Sequence, residues 1–350
     1  MPESRQRFLI IRLSSIGDIV HTLPAVAALG RAYPQAEIHW AVEDRFSALV
    51  ESNPFVSRVI RLDTLAWRKN PTAAPTIDGI MRGFDALREF EYDAALDFQG
   101  LMKSAIFARL SHAQKRIGFS RNALREPLAG IFYTHRVSPP DLGHVIEINL
   151  SLVSPLGAVS SKWEFPLPDN PHDNESVRNR LQQMGVDQFI IVNPGGGWKA
   201  KRWSPENYAQ LITRLAGQIP FAILVTGSPQ EEEVANEILT RANTPSAKWF
   251  PSTLLQFIAL ARKANLLIGG DTGPLHLAAA VRTPIVAIFN SIDPRNTPER
   301  NGPFDASDII IRGPRTAQRK AYSKHLTYLE GVNVESVVEA VFRRLGIMHA

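Results

Sequence analysis

The chain has 350 residues, of which 44% are hydrophobic and 21% charged, a composition typical of a folded protein with more than one core. It contains no cysteine, which excludes disulfides, thiolate metal sites and a cysteine nucleophile, and fits a reducing cytoplasm. The formal net charge of +5 favours anionic partners, such as phosphorylated sugars or an anionic membrane face. No apolar run reaches the roughly eighteen residues that span a bilayer, and the N-terminus does not resemble a signal peptide.

Apolar strands alternate with helical segments along the first half of the chain, a pattern typical of βαβ units and parallel sheets. The predicted strands lie at 8–13, 38–42, 59–62 and 94–97, and the predicted helices at 23–32, 80–90 and 102–110. A cluster of prolines and polar residues at 165–171 then predicts a linker between domains.

The same pattern restarts after this linker. The second half contains predicted strands at 189–192, 222–225, 266–270 and 285–289, and predicted helices at 205–215, 231–239, 254–262, 275–280 and 334–345. We therefore expect an α/β protein of two Rossmann-like, doubly wound domains, 1–168 and 169–350, which face each other across a cleft. The last helix is able to pack back on the first domain.

The first predicted strand leads into a polar turn and the start of a helix, Ser14-Ser15-Ile16-Gly17-Asp18. The turn lacks the G-x-G-x-x-G fingerprint of dinucleotide-binding proteins and the G-x-x-x-x-G-K-[ST] motif of P-loops. It places the carboxylate of Asp18 at the carboxyl end of a strand, which is the edge where open α/β sheets bind ligands. Asp18 is therefore a candidate functional residue of the first domain.

Basic residues dominate the segment 101–136, where seven lysines and arginines accompany a single acid, Glu126. Further cationic loops are expected at 67–69 and 121–127, whereas a second basic run at 312–324 is interpreted as a solvated face. Asp97 ends a strand before a helix and is interpreted as a candidate cap. No nucleic-acid-binding module is recognisable, which favours a small anionic ligand over nucleic acid.

The second domain opens with three glycines, Gly195 to Gly197, which follow a strand and let the backbone approach a ligand. Lys199 and Lys201 come next and are candidates to neutralise a diphosphate; the alternative is a flexible surface loop with solvated lysines. Glu231 follows another strand, where a carboxylate is able to bind ribose hydroxyls, although acids are also common in the first turn of any helix.

The strongest phosphate-binding signal is the turn Asp271-Thr272-Gly273-Pro274, which joins a buried strand to a helix that contains His276. The unpaired N–H groups at a helix N-terminus carry partial positive charge and bind anions, and Pro274 suits the first helical turn. An ordinary capped turn, with Asp271 or Thr272 as N-cap, is the alternative. The sequence shows no metal-ligand spacing and no G-x-S-x-G motif, so we expect a reaction without a metal or a covalent nucleophile.

These motifs together resemble the ADP-heptose:lipopolysaccharide heptosyltransferases of glycosyltransferase family 9, which have the GT-B fold. The residues that carry the resemblance are Ser14 to Ala25, Asp97, Gln99 to Leu101, Lys103 to Ala105, Arg125 to Ala129, Lys201, Trp203, Asp271 to Gly273, His276 and Leu277. Within the family, Arg125 to Ala129 and Trp67 to Lys69 are most similar to heptosyltransferase I, which adds the first heptose to Kdo on lipid A. The glycine run 195–197 resembles other members of the family more than it resembles heptosyltransferase I. Residues 290–292 are Asn-Ser-Ile, where the family has Gly-Pro-Thr.

The resemblance implies an inverting transferase in which Asp18 is the general base that removes the proton of the acceptor hydroxyl. Lys201 and the N–H groups after Gly273 would stabilise the leaving diphosphate in place of a metal, with ADP-heptose as donor and no cofactor. The implied donor-binding residues are Gly196, Gly197, Lys201, Glu231, Asp271, Thr272, Gly273 and His276. The implied acceptor-binding residues are Ser15, Gly17, Arg68, Lys69, Lys103, Arg121 and Arg125. The implied partners are the nucleotide sugar, a lipid A–Kdo acceptor and, peripherally, the inner face of the cytoplasmic membrane, without nucleic acid.

Other functions fit parts of the same pattern. A family 9 transferase with another acceptor or nucleotide sugar would carry the same motifs. A sugar-nucleotide epimerase of the same architecture needs an acid and a base on either side of the sugar, and Asp18 is the well-placed candidate. A non-catalytic sugar-nucleotide-binding protein has no need of Asp18, and a NAD-dependent dehydrogenase would need the glycine fingerprint that this chain lacks.

Overall fold

A computed structural model describes residues 5–197, 201–289, 296–313 and 328–347 of the chain. The chain divides into two compact units, Met1–Pro168 and Asp169–Ala350. The division lies inside the proline-rich segment 165–171, where few contacts have to be broken to separate two cores.

The N-terminal unit is built on six parallel strands in the order β3-β2-β1-β4-β5-β6. The strands are β1 Arg7–Ile11, β2 Glu37–Glu43, β3 Arg58–Leu62, β4 Ala94–Asp97, β5 Lys115–Phe119 and β6 His135–Val137. The helices are α1 Ile16–Ala32, α2 Thr64–Lys69, α3 Ala74–Arg88, α4 Met102–Leu110 and α5 Val145–Val153, with 3₁₀ turns at Asp44–Leu49, Arg121–Ala123, Pro127–Phe132 and Ser154–Leu156. The strand order reverses between β1 and β4, and α/β sheets bind ligands outside the carboxyl ends of the strands at such a point.

The C-terminal unit repeats this topology, with six parallel strands in the order β12-β11-β10-β7-β8-β9. The strands are β7 Phe189–Asn193, β8 Ala222–Gly227, β9 Ala247–Pro251, β10 Leu266–Gly270, β11 Ile285–Phe289 and β12 Ile309–Arg312. The helices are α6 Pro171–Gln183, α7 Pro205–Leu215, α8 Glu232–Ala242, α9 Leu254–Ala261, α10 Gly273–Ala280, α11 Pro298–Asn301 and α12 Val334–Leu345, with a 3₁₀ turn at Pro229–Glu231. The reversal here lies between β7 and β10, and α12 packs on α7, β11 and β12.

The centre of each sheet is buried on both faces. The central strands β1, β7 and β10 are runs of buried aliphatic residues, as parallel strands covered by helices require. In the C-terminal unit the core includes the fully buried Trp203, whose indole N–H donates to the backbone carbonyl of Val332. Among the described helices, none is both long enough and apolar enough to cross a membrane.

The predicted α/β class with two Rossmann-like domains is confirmed, but several predicted boundaries are wrong. Helix α1 begins at Ile16 instead of residue 23, because burial of most of its residues outweighs the low helix propensity of Gly17 and Pro24. Helix α3 begins six residues earlier than predicted, at Ala74. The sequence prediction also missed short or polar elements, namely β5, β6, β9, β12, α2, α5, α6 and α11.

Two glycines in the helices of the N-terminal unit should respond to alanine in opposite directions. A Cβ on Gly30 of α1 would lie 2.9 Å from Cβ of Phe55 and closer still to its ring, whereas a Cβ on Gly79 of α3 would meet only Trp67 Nε1 at 3.4 Å. We expect Gly30→Ala to lower the free energy of unfolding by about 1–3 kcal/mol through overpacking. Gly79→Ala should raise it by up to about 1 kcal/mol, because alanine is the better helix former.

Urea unfolding followed by tryptophan fluorescence measures both effects. The double variant Gly30→Ala/Phe55→Leu should recover part of the loss. Stabilisation by Gly30→Ala equal to that of Gly79→Ala would contradict the described contact with Phe55.

Candidate active site

The predicted site residues follow the carboxyl ends of strands in both units. In the N-terminal unit they come after β1, β3, β4 and β5, and in the C-terminal unit after β7, β8 and β10. Because all strands of each sheet are parallel, these loops share one edge of their own sheet. Each unit therefore collects its candidates at one edge, on either side of the point where the strand order reverses.

Asp18 lies in the first turn of α1, where its carboxylate forms a cap and an ion pair together. Its Oδ2 accepts hydrogen bonds from the backbone N–H and the hydroxyl of Ser15, both at 2.9 Å. Its Oδ1 lies 3.2 Å from Nη2 of Arg12. The Asp18 side chain is 43% exposed while that of Arg12 is 7% exposed, so a fixed, buried cation holds an acid that solutes reach.

Arg12 was not among the predicted site residues. Its guanidinium also donates to the backbone carbonyl of Phe98 at 2.6 Å, and thereby joins the loop after β1 to the loop after β4. A buried charge is stable only when it is paired and hydrogen-bonded. An arginine inside the predicted apolar strand 8–13 is therefore a signal that the sequence does contain, and it predicts a nearby acid.

The loop after β4 is organised by two side chains from the Asp97–Gly100 motif. Gln99 Oε1 accepts from the backbone N–H groups of Leu13 at 3.1 Å and Ser14 at 3.3 Å, and so bridges β4 to the turn after β1. Asp97 is fully buried and accepts from the N–H groups of Gln99 and Gly100 and from the Tyr133 hydroxyl at 2.7 Å. Burial raises the pKa of Asp97, against the effect of these donors. Asp97 shapes the loop, but its interpretation as a helix cap is wrong, because Leu101 is the N-cap residue of α4 and Asp97 binds N–H groups of the loop before it.

Lys103, in the first turn of α4, joins the ends of three elements. Its Nζ donates to the hydroxyl of Thr64 at 2.6 Å and lies 3.4 Å from Oε1 of Glu43. The buried Glu43 carboxylate also accepts from the backbone N–H and the hydroxyl of Thr64. The ammonium is thus positioned by an acid at the end of β2 and a hydroxyl at the start of α2, two residues that the sequence analysis missed.

The loop that contains Arg125 is fastened to the start of α4 by its neighbour. Glu126 Oε2 accepts from the backbone N–H of Met102 at 2.7 Å, which brings Arg125 to the same helix end as Lys103. The other predicted cations of this unit, Arg68, Lys69 and Arg121, are exposed. Within the described parts of the chain, no hydrogen bond or ion pair joins these three to another predicted acceptor residue.

The glycine loop after β7 leaves room for the side chain of Glu231. A Cβ on Gly195 would lie 2.6 Å from Oε1 of Glu231, so an alanine there would displace the carboxylate. Oε2 of Glu231 accepts hydrogen bonds from the backbone N–H of Ser228 at 2.8 Å and from the Ser228 hydroxyl at 3.0 Å. Glu231 therefore has the role of an acid in the first turn of a helix, which was the alternative to ribose binding. The carbonyl of Gly196 accepts from Nε of Arg202 at 2.6 Å, and a Cβ on Gly197 would meet no atom within 4 Å.

A buried carboxylate, Asp271, is the centre of the C-terminal site. Its Oδ2 contacts Nζ of Lys201 and Nδ2 of Asn296, and its Oδ1 lies 3.2 Å from Nε2 of the buried His276. Burial opposes ionisation, but the hydrogen bond and charge of His276 and the charge of Lys201 outweigh it and hold the pKa of Asp271 well below its ordinary value. The Asp271 side chain is 5% exposed and that of Lys201 32%, so here a buried anion positions a more accessible cation.

The start of α10 provides hydrogen-bond donors beside this cluster. Thr272 is the N-cap residue, as one interpretation of the sequence had it, but its side chain forms no cap hydrogen bond. Two buried oxygens at this edge, Thr272 Oγ1 and Asn193 Oδ1, have no hydrogen-bond partner among the described residues. A Cβ on Gly270 would lie 2.8 Å from the carbonyl of Lys201, so only glycine permits this close approach. Together with the N–H groups of the first helical turn, these atoms form a surface suited to an anion with hydroxyl or phosphoryl groups.

Some predictions fall on residues that the structure does not describe. Lys199, most of the second basic run (314–324) and the departure at 290–292 lie outside the described residues. Arg312 of that run forms an ion pair with Glu299. Over 5–197, 201–289, 296–313 and 328–347, no group of three or more histidine, aspartate and glutamate side chains is arranged to hold a metal ion.

Comparison with known proteins gives consistent matches over most of the chain. Residues 80–328 match the family described as Glycosyltransferase family 9 (heptosyltransferase). The chain is 31% identical to lipopolysaccharide heptosyltransferase 1 of Pseudomonas aeruginosa over 296 residues, which is 82% of this chain and 79% of that protein. It is 30% identical to lipopolysaccharide heptosyltransferase 1 of Escherichia coli K12 over 314 residues, or 88% of this chain and 94% of that protein.

A solved structure of similar fold covers nearly the whole chain. The E. coli heptosyltransferase WaaC with ADP superposes with a TM-score of 0.77 at 26% sequence identity, over 97% of this chain and 100% of that one. At this coverage the similarity includes both Rossmann-like units.

Replacement of Asp271 tests the charge balance of the C-terminal site. We expect Asp271→Asn to lower the free energy of unfolding at pH 7 by about 2 kcal/mol, because the partly buried Lys201 loses its anion and the buried His276 loses a charged hydrogen-bond partner. The folded-state pKa of Asp271 lies below the value of about 3.9 for an unfolded aspartate. Its stabilisation is therefore present above that pH and is lost as the pH falls.

Urea unfolding at pH 7, 5 and 3.5 measures how much the free energy of unfolding differs between the wild type and Asp271→Asn. This difference in free energy should become smaller between pH 5 and pH 3.5. Asp187→Asn, which changes an exposed aspartate of the same unit, should leave the stability unchanged at each pH. A difference that does not vary with pH would contradict the ionised, cation-paired state of Asp271.

Proposed function

The chain belongs to glycosyltransferase family 9, the heptosyltransferase family, and we propose that it transfers heptose from ADP-heptose to the Kdo of a lipid A–Kdo acceptor. Two similarities support this choice of substrates. The relatives of about 30% identity are lipopolysaccharide heptosyltransferases of type 1, and the similar E. coli enzyme was solved with ADP. The segments 67–69 and 125–129 resemble those of the same type within the family.

The observation that carries the proposal is the Lys201–Asp271 pair at the start of α10. The pair holds an accessible ammonium at Asp271, the residue that precedes Thr272, the N-cap of α10 and so the positive end of that helix. During sugar transfer, negative charge grows on the departing diphosphate, and fixed donors aimed at that charge lower the barrier. In our proposal Lys201 and the first N–H groups of α10 take this role, which a metal fills in other transferases, and no metal is required.

The proposed reaction forms one bond and breaks one bond at the anomeric carbon of the donor. The acceptor hydroxyl oxygen attacks this carbon on the face opposite ADP, and the bond from the carbon to the diphosphate oxygen breaks. The diphosphate leaves with the electron pair, the hydroxyl proton passes to the Asp18 carboxylate, and the anomeric configuration inverts. Because the diphosphate leaves without a proton, a single carboxylate is sufficient.

The cations of the N-terminal unit are proposed to bind the acceptor. Lys103 and Arg125 lie at one helix end, and Arg68, Lys69 and Arg121 present exposed charges. Carboxylates of Kdo and phosphates of lipid A are the anionic groups that such side chains bind. Ser15 and Gly17, beside the proposed base, complete the acceptor side. Because the acceptor is a lipid, we propose that the enzyme works peripherally at the inner face of the cytoplasmic membrane.

Replacement of Asp18 tests the proposed base. We expect Asp18→Ala and Asp18→Asn to lower turnover by at least about a hundredfold, the lower range for loss of a general base. ADP affinity should stay close to wild type, since the donor residues belong to the other unit. The side-chain carbonyl introduced by Asp18→Asn still accepts a hydrogen bond from the Ser15 N–H, so this variant separates loss of the base from loss of the cap.

Turnover, ADP calorimetry and thermal unfolding are measured on each variant. The matched control is Asp44→Asn, which changes an exposed acid of the same unit and should keep full activity. Turnover near wild type in Asp18→Asn would rule out Asp18 as the base.

Replacement of Lys201 tests the donor site. We expect Lys201→Ala to reduce turnover roughly a hundredfold, as for removal of one oxyanion donor, and to weaken ADP binding. Calorimetry without metal should show that the wild type binds ADP more tightly than UDP or GDP. The matched control is Lys248→Ala, because Lys248 donates to the carbonyl of Met184 in the same unit.

Tighter binding of UDP or GDP than of ADP would be compatible with a glycosyltransferase but would contradict ADP-heptose as its donor. Loss of turnover on addition of EDTA would contradict the metal-free mechanism. Equal effects of Lys201→Ala and Lys248→Ala would contradict the specific role of Lys201.

A further inference from the structure

Two large aliphatic side chains project into solvent from the 3₁₀ turn Pro127–Phe132. Leu128 is 68% exposed and Ile131 is 54% exposed. Residues i and i+3 of a 3₁₀ helix are eclipsed, so these two side chains lie on the same face and form one apolar ridge. Single exposed aliphatic residues are common, but a contiguous apolar surface marks an interaction site.

The backbone under this ridge is held in place by side chains from the strands beside it. Nε of Arg136 donates to the carbonyl of Gly130 at 2.9 Å, and Nε of Arg116 donates to the carbonyl of Phe132 at 2.8 Å. The opposite side of the turn is buried through Ala129 and Gly130. The ridge is therefore presented on a rigid support.

The surface next to the ridge is cationic. Arg121 and Arg125 precede the turn in the chain, and Arg136 follows it with an exposed side chain. The turn also packs on α4, which exposes Ile106 and Arg109. The single acid of the segment 101–136, Glu126, already accepts a hydrogen bond from the Met102 N–H.

An apolar ridge with cations around it has the chemistry of an anionic lipid surface. Aliphatic side chains enter the boundary between headgroups and acyl chains, while arginines reach the phosphates. We propose that Leu128 and Ile131, with Arg109, Arg121, Arg125 and Arg136 around them, form a docking surface for an anionic phospholipid bilayer.

This inference deepens the proposed function and rests on it only for the location of the acceptor in the same bilayer. Arg125, a proposed acceptor residue, is three residues from Leu128 in the same short loop. Docking by the ridge would hold that loop at the level of the headgroups, where the sugars of a lipid-linked acceptor are found.

The 350-residue chain is tested by co-sedimentation with vesicles of phosphatidylethanolamine and phosphatidylglycerol (3:1), and with vesicles of phosphatidylcholine alone. We expect the wild type to bind the anionic vesicles more strongly, and Leu128→Ser/Ile131→Ser to lower the partition coefficient at least tenfold. Arg109→Gln should lower it about fivefold, the ratio for one arginine near an anionic surface.

The matched control is Ile77→Ser/Met81→Ser on α3. This pair is comparably exposed at 49% and 54%, but the exposed charges beside it, Asp78, Arg82 and Asp85, are mixed in sign. Its vesicle binding should equal that of the wild type. Unchanged binding of Leu128→Ser/Ile131→Ser, or an equal loss in the α3 control, would overturn the proposal. So would a dimer in gel filtration that Leu128→Ser/Ile131→Ser dissociates, since a second copy would then cover the ridge.

Turnover measurements keep this proposal separate from the proposed function. With a water-soluble, acyl-free acceptor, Leu128→Ser/Ile131→Ser should turn over like the wild type, whereas with acceptor in anionic vesicles it should be slower. Equal turnover of both proteins on vesicle-bound acceptor would contradict a role in docking. If the wild type transfers no heptose at all, the proposed function fails, and the vesicle-binding result still decides whether the ridge binds lipid.

Discussion

The reversal of strand order at the centre of each sheet is the constraint on which the candidate sites depend. On either side of the reversal the connections run to opposite faces, so the two central loops separate and leave backbone groups accessible. In the N-terminal unit, the side chain of Gln99 spans this opening and ties the turn after β1 to β4. In the C-terminal unit, Gly270 allows the backbone of Lys201 to approach β10 closely. The same topology thus produces two edges with different chemistry.

Both units hold a proposed site charge in place through a buried ion of opposite sign, and the signs are exchanged between the units. In the N-terminal unit the buried partner is the cation Arg12, and the accessible partner is the acid Asp18. In the C-terminal unit the buried partner is the acid Asp271, and the accessible partner is the cation Lys201. A buried ion without its partner is strongly unfavourable, so each pair is retained whether or not a substrate is bound. The accessible group is then already oriented when a substrate arrives.

The sequence was sufficient for the fold class and for the loops that carry the candidates, because strand periodicity and loop chemistry are local properties. It was insufficient for the partners of those candidates. Lys103 contacts Glu43 across 60 residues and Thr64 across 39, so neither pairing leaves a local pattern. Short elements such as β6, with three residues, are stabilised by pairing with a neighbouring strand instead of by their own composition. The roles of the site residues stay predictions.

The position of Asp18 at the start of α1 affects how substitutions at this residue change stability and activity. Active-site residues commonly reduce stability, so that mutants selected for robustness tend to lose activity. Here the proposed base also caps a long buried helix and neutralises a buried arginine. An aspartate at position 18 therefore favours both the stability of the N-terminal unit and the proposed turnover. The usual trade-off between stability and activity is weaker at this position.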